Sequence, residues 1–214
     1  MKLPPLLVKQ LGIQPYTDVW QAMRQFSSER GAGQTDELWI VQHPPVYTQG
    51  LNGKPEHLLN PNPAIPIVQT DRGGQITYHG PGQLIVYLLI DLKARHLGVR
   101  ALVSLMEKSL IELLKAYEIE GVTRANAPGV YVNDQKIASL GLKIHKQKTY
   151  HGLALNVDMD LTPFHAINPC GYAGLQMTQL ANLYPNPLPN IEQLGEVFSV
   201  LFQQHLDALR VTNC

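Results

Sequence analysis

The chain has 214 residues, 44% of them apolar and 16% charged. That is enough apolar material for one compact core and too little charge for a disordered polymer. Lys plus Arg and Asp plus Glu are both 17, giving a net charge of zero, which argues against bulk electrostatic binding to nucleic acid or an anionic membrane.

Two cysteines, Cys170 and Cys214, are too few for a disulfide scaffold or a four-cysteine zinc site, and they favour a reducing, cytoplasmic setting. The longest apolar run, Leu84 to Ile90, covers seven residues, where a membrane helix needs about 20. Pro4 and Pro5 stand where the apolar core of a signal peptide would lie, so none is expected.

The first helix is predicted from Tyr16, Val19, Trp20, Met23 and Phe26 at helical spacing, with Thr17 as N-cap and Gly31 beyond the end. A short strand, Leu38 to Val41, stops at Pro44 and Pro45, and a proline-rich loop then runs to Pro66. Two strands, Ile65 to Thr70 and Gln75 to Tyr78, flank an Arg72-Gly73-Gly74 turn. Leu84 to Leu92 reads as a central strand, and Val99 to Tyr117 as a long amphipathic helix. Val130 to Val132 and Lys136 to Ile144 form a hairpin around Asn133-Asp134, followed by a strand from Tyr150 to Val157. Ile191 to Leu209 closes the chain as a helix. The order predicts an α+β fold, a mixed and largely antiparallel sheet with packed helices, in a single domain over residues 1–214.

Glycine gathers beside polar side chains in three segments: Arg72 to Gln83, Ser139 to Leu142, and Asn168 to Gly174. Glycine allows sharp turns and close approach of a ligand to backbone amides, although turn chemistry alone also explains such clusters. Neither a P-loop nor a dinucleotide fingerprint is present. Cys170, between Pro169 and Gly171, reads either as a small core residue or as a nucleophile on a tight turn.

A nucleophilic thiol needs a base or a cation beside it. Among the histidines, His43 reads as a strand terminator, whereas His79 and His151 could line a site. Strict strand alternation sets Lys136 with Ala138, Leu140 and Leu142, and Lys143 on the opposite face with Ile137, Ser139 and Gly141. A lysine heading an apolar face is either a desolvated base with a lowered pKa or a hairpin-end residue reaching water. Asn156, Asp158 and Asp160 alternate as a solvated strand end would, and no metal site is predicted.

Five ordered motifs now carry a resemblance. They are His43-Pro-Pro-Val-Tyr-Thr-Gln-Gly50, Arg72 through Gln83, Lys136-Ile-Ala-Ser-Leu-Gly-Leu142, His151-Gly-Leu-Ala-Leu-Asn-Val157 and Ile167-Asn-Pro-Cys-Gly-Tyr-Ala-Gly-Leu175. Together they resemble the lipoyl(octanoyl) transferases over residues 11–180.

The resemblance implies the fold of the biotin and lipoate protein ligase catalytic domains. It implies transfer of an octanoyl group from octanoyl-acyl carrier protein to a lysine of apo lipoyl domains, those of 2-oxoacid dehydrogenase E2 and glycine cleavage H protein. Cys170 would be the nucleophile that carries the acyl group as a thioester. Lys136, not Lys143, would be the general acid/base that promotes the thiolate. The acyl-substrate contacts would fall on Arg72, Gly73, Gly74, Gln75, Ile76, Thr77, Tyr78 and His79, on Ser139, Leu140 and Gly141, and on Gly152, Leu153 and Ala154. Backbone amides near Gly141 and Cys170, aided by His79, would hold the oxyanion.

No cofactor, metal, nucleic acid or membrane is implied. The alternatives are an ATP-dependent lipoate or biotin ligase, a thioesterase, and a non-catalytic carrier-binding module. Lys143, His145, Lys146 and Lys148 form a candidate basic edge for the carrier protein, or else a solvated hairpin turn.

Overall fold

A computed structural model describes residues 4–31, 33–125 and 127–211; Cys214, expected at a frayed end, lies outside them. The strands are β1 (Leu7–Ile13), β2 (Glu37–Gln42), β3 (Val46–Gln49), β4 (Ile67–Gln69), β5 (Ile76–His79), β6 (Gln83–Leu89), β7 (Gly129–Val132), β8 (Gln135–His145) and β9 (Lys148–Asn156). The helices are α1 (Tyr16–Glu29), α2 (Leu92–Arg95), α3 (Val99–Lys115) and α4 (Ile191–Val211).

A six-stranded sheet has the order β1-β2-β6-β9-β8-β7, and a three-stranded sheet the order β4-β3-β5. β1 pairs parallel with β2 and β3 parallel with β4, and the other pairings are antiparallel. The α+β expectation therefore holds.

Alternation along the central strands builds three layers. Leu84, Val86 and Leu88 of β6 join Leu102, Leu110 and Leu113 of α3 and Phe198 and Phe202 of α4 on one face. Ile85, Tyr87 and Leu89 turn to the other face and meet Val19 and Met23 of α1. Each fully buried Leu or Phe contributes about 1.5–3 kcal/mol of transfer free energy. The β7–β8 and β8–β9 hairpins each turn on two left-handed residues, Asn133-Asp134 and Lys146-Gln147, as a two-residue turn between twisted strands requires.

Several sequence expectations are corrected. β1 was not foreseen, because its outward residues Leu7 and Ile13 are exposed and blur the alternation. The loop to Pro66 contains β3, which with β4 and β5 forms the second sheet. α1 begins at Tyr16 after Pro15, with no side-chain cap, so Thr17 is not its N-cap. The central strand ends at Leu89, and Leu92 already belongs to α2. Among the described residues no helix is long and apolar enough to cross a membrane.

Candidate active site

Cys170 occupies a single 3-10 turn, Pro169–Gly171, with a left-handed φ of 57°. Gly171 follows at φ 81°, and a Cβ there would strike the Gln75 carboxamide. Glycine takes this left-handed backbone without strain. The chain then pairs with β8 at Lys136. The Lys136 N–H donates to Gln176 O at 2.9 Å, and the Thr178 N–H donates to Lys136 O at 3.0 Å.

These two bonds set the side chains face to face. Lys136 Nζ donates to Cys170 Sγ at 3.3 Å, and Ser139 Oγ lies 4.0 Å from the same sulfur. The lysine is 2% exposed. Its stem fits because residue 129 is glycine; a Cβ there would meet Lys136 Cε and Ala138 O.

Strict alternation would separate Lys136 from Ser139, and the structure corrects it. β7 opposes Tyr131 to Lys136 and Val130 to Ala138, so β8 carries one extra residue, Ile137. Such a bulge shifts the facing of side chains by one. Lys136 and Ser139 thus both face the sulfur, while Ile137 and Ala138 both enter the core.

The expected lowering of the lysine pKa is corrected as well. Burial does lower it, but the Cys170 sulfur and Tyr131 outweigh burial and raise it above the ordinary lysine value. The Tyr131 ring centroid lies 5.3 Å from Nζ. Lys136 is therefore a standing cation beside the sulfur at neutral pH.

The pair opens into a cavity of about 450 Å³. Arg72, Gly73, Gly74, Gln75, Thr77, His79, Ser139, Leu140, Gly141, Gly152, Leu153 and Ala154 all line it, with Lys136 and Cys170. Ile76 and Tyr78 do not. Alternation along β5 turns them to the opposite face, into a small core with Tyr47 and Phe164.

Arg72 is buried, and its guanidinium donates to Gly73 O at 2.9 Å, Gln75 O at 2.7 Å and the Thr48 hydroxyl. Burial lowers its pKa. Its donors hold its own loop together. Gly73 N–H, bonded to Leu142 O at 2.9 Å, stitches that loop to β8.

Tyr16, Tyr87 and His43 were missed as contributors. His43 does more than end a strand: its Nδ1 lies 2.6 Å from Gln14 O and its Nε2 2.7 Å from Tyr87 OH. Burial lowers its pKa to about 4, against a smaller opposing effect of the Gln14 bond. Burial, aided by His43, lowers His79 to about 3. Both rings are neutral at pH 7.

His79 Nδ1 lies 2.7 Å from Gln83 Oε1 and Nε2 3.3 Å from Thr48 Oγ1, so neither nitrogen is free to hold an oxyanion. From Gln83 the bonds continue through Asn156 to Thr178 O, at 2.9 Å each. A buried polar line thus joins His79 to the segment that anchors Cys170. Asn156 belongs to this line. Among the described residues no group of three or more His, Cys, Asp and Glu side chains is placed to hold a metal.

The basic edge is divided. Lys143 and His145 line a groove with Arg24, Asp71 and Tyr150, whereas Lys148 Nζ donates to Arg30 O at 2.7 Å and serves the fold.

The family model of the lipoyl protein ligase A/B catalytic domain matches residues 15–203. An octanoyltransferase of Hydrogenovibrio crunogenus is 61% identical over 187 residues, covering 86% of this chain and 88% of that protein. A bipartite lipoate protein ligase of Thermoplasma acidophilum superposes with a TM-score of 0.73 at 13% identity, over 95% of this chain and 84% of that one. The biotin protein ligase of Aquifex aeolicus does so at 0.57 and 12%, over 96% and 70%. With the family model over most of its length and relatives of this identity, the chain belongs to the octanoyltransferases of the lipoyl protein ligase A/B catalytic-domain family and is an acyltransferase.

Proposed function

We propose that this chain, working as one catalytic domain in the cytoplasm, transfers an octanoyl group through a thioester on Cys170. The donor in this reading is octanoyl-acyl carrier protein, and the acceptor is a lysine of apo lipoyl domains, those of 2-oxoacid dehydrogenase E2 and glycine cleavage H protein. The observation that supports it is the buried Lys136 ammonium at 3.3 Å from the Cys170 sulfur, at the mouth of a cavity sized for an acyl chain.

The Cys170 thiolate, paired with the ammonium, attacks the thioester carbonyl of the donor. The new carbon–sulfur bond forms as the bond to the carrier thiol breaks. Lys136 gives its proton to the departing thiolate, leaving a neutral amine. The acceptor lysine amine then attacks the acyl-enzyme, Lys136 takes the proton it sheds, and Cys170 leaves as thiolate. An amide is formed and the ion pair is restored. The donor is already activated, so no ATP enters. Backbone amides near Gly141 and Cys170 hold the oxyanion at each step; the Gly171 and Tyr172 N–H groups of the turn already donate to Asn168 O and Pro169 O. The ping-pong route splits one acyl transfer into two easier ones.

Intact-protein mass spectrometry tests this directly, on wild type and Cys170→Ala mixed with octanoyl-carrier protein without ATP. The expected result is an octanoyl adduct on wild type alone, discharged by apo lipoyl domain. No adduct without ATP, and transfer from free octanoate with ATP, would turn the reading to a ligase.

A further inference from the structure

His151 breaks the regularity of β9. Its φ is 60°, in a region that residues with a Cβ avoid. In a regular strand, consecutive side chains face opposite ways. Tyr150 and His151 are consecutive, yet Tyr150 OH donates to Asp71 Oδ2 and His151 Nε2 lies 3.0 Å from Asp71 Oδ1. The left-handed backbone is what brings the imidazole to the Arg72 side of the sheet.

Trp20 Nε1 completes the anchor, donating to Asp71 Oδ1 at 2.8 Å. Burial alone would raise the Asp71 pKa, but the bonds from His151, Tyr150 and Trp20 outweigh it and keep the carboxyl ionised well below the usual range. Against a carboxylate, Nε2 carries the hydrogen, which leaves a lone pair on Nδ1. That atom is buried with no protein partner. The ring is 1% exposed, lines the Cys170 cavity and lies 6.1 Å from the Tyr87 ring.

The strand register supplies a ruler. Ser139, beside the Cys170 sulfur, pairs with Ala154, and Leu142 pairs with His151. Three residues along a strand are about 10 Å, which matches the reach of an extended octanoyl chain. Only Gly152 and Leu153 separate the two ends on β9, and the small Ala154 leaves the floor low beside the sulfur.

We propose that His151 is a specificity-determining residue that closes the far end of the acyl slot and sets the accepted chain length. This rests on the thioester reading above. An octanoyl chain tethered to Cys170 stops at the imidazole. A longer chain must press its methylenes on an unpaired, buried Nδ1 or dislodge a ring held by Asp71. Neither occurs without loss of rate.

The test measures acyl-enzyme formation with hexanoyl-, octanoyl-, decanoyl- and dodecanoyl-carrier protein, by mass spectrometry. His151→Gly suits it, because glycine adopts the left-handed backbone without strain. His151→Asn, which also tolerates that backbone, is the second variant and should fall between glycine and histidine. The expected result is a decanoyl-to-octanoyl rate ratio raised about tenfold or more in His151→Gly, with the hexanoyl-to-octanoyl ratio not raised. An unchanged ratio in either variant, in protein that still forms octanoyl thioester, would overturn the wall. If wild type forms no adduct at any chain length, the thioester reading itself fails and the wall falls with it.

Discussion

The two ends of the cavity both hold a non-glycine residue in the left-handed region, Cys170 at φ 57° and His151 at φ 60°, but they hold it differently. At the Cys170 end the strain sits on a turn next to Gly171, and the chain that follows is fixed to β8 by main-chain bonds between Lys136, Gln176 and Thr178. At the far end the strain sits inside a strand, and side-chain bonds from Trp20, Tyr150 and His151 to Asp71 keep it there. Backbone strain persists only where the surroundings over-determine it. Main-chain anchoring sets the segment that carries the sulfur on a frame that side-chain changes barely touch. Side-chain anchoring presents a shape, which substitution can alter without moving the frame.

The sharpest way to separate the ends is Lys136→Met, which keeps the buried stem and removes the charge. Acyl-enzyme formation should fall by about 100-fold or more, while the ratio of rates across acyl lengths stays at its wild-type value. A ratio that moves with Lys136→Met would show that the two ends are one unit.

Two buried histidines, His43 and His79, give the next effect. His43 and His79 have pKa values lowered to about 4 and about 3, below the unfolded value near 6.5. Between those limits the unfolded chain binds protons that the native chain refuses, so stability falls as the pH drops below 6.5. From pH 7 to 5, each histidine accounts for on the order of 2 kcal/mol, read as a lower urea midpoint. His43→Gln should flatten that dependence; an equally steep loss would place its origin elsewhere.

Gly129→Ala should cost about 1–3 kcal/mol, because the new methyl meets Lys136 Cε and a carbonyl oxygen. It should also slow thioester formation, and a neutral result would mean that the lysine stem has slack. Asp71→Asn should be mildest, about 1 kcal/mol or a few degrees in Tm. It should relax the preference for acyl length without the large loss in rate that Lys136→Met brings.

The three-layer core was legible because Leu84 to Ile90 is continuously apolar and Leu102 to Leu114 keeps a helical stripe. Cys170 and Lys136 were singled out from glycine-rich and strand contexts, and the motif resemblance chose between Lys136 and Lys143. What stayed hidden were departures from a period. The bulge at Ile137 placed Lys136 with Ser139, where alternation had divided them. The left-handed His151 turned two neighbours to one side. Ile76 and Tyr78 lie within a segment otherwise facing the cavity, yet obey the period and point away. The dipeptide His43-Pro44 carries no periodic signal, so the burial of His43 on Tyr87 had nothing local to announce it.

The two main-chain bonds at Lys136 also have a consequence for local opening. Each uses an amide, that of Lys136 and that of Thr178. Amide exchange reports the free energy at which such bonds part. Opening of this bridge releases the lysine end of the pair, and both amides then exchange together. Movement of the Pro169–Gly171 turn, several residues before Gln176, parts the sulfur from the ammonium with both bonds intact. Protection of these two amides therefore reports the lysine side of the pair, and the turn that bears the sulfur moves on its own account.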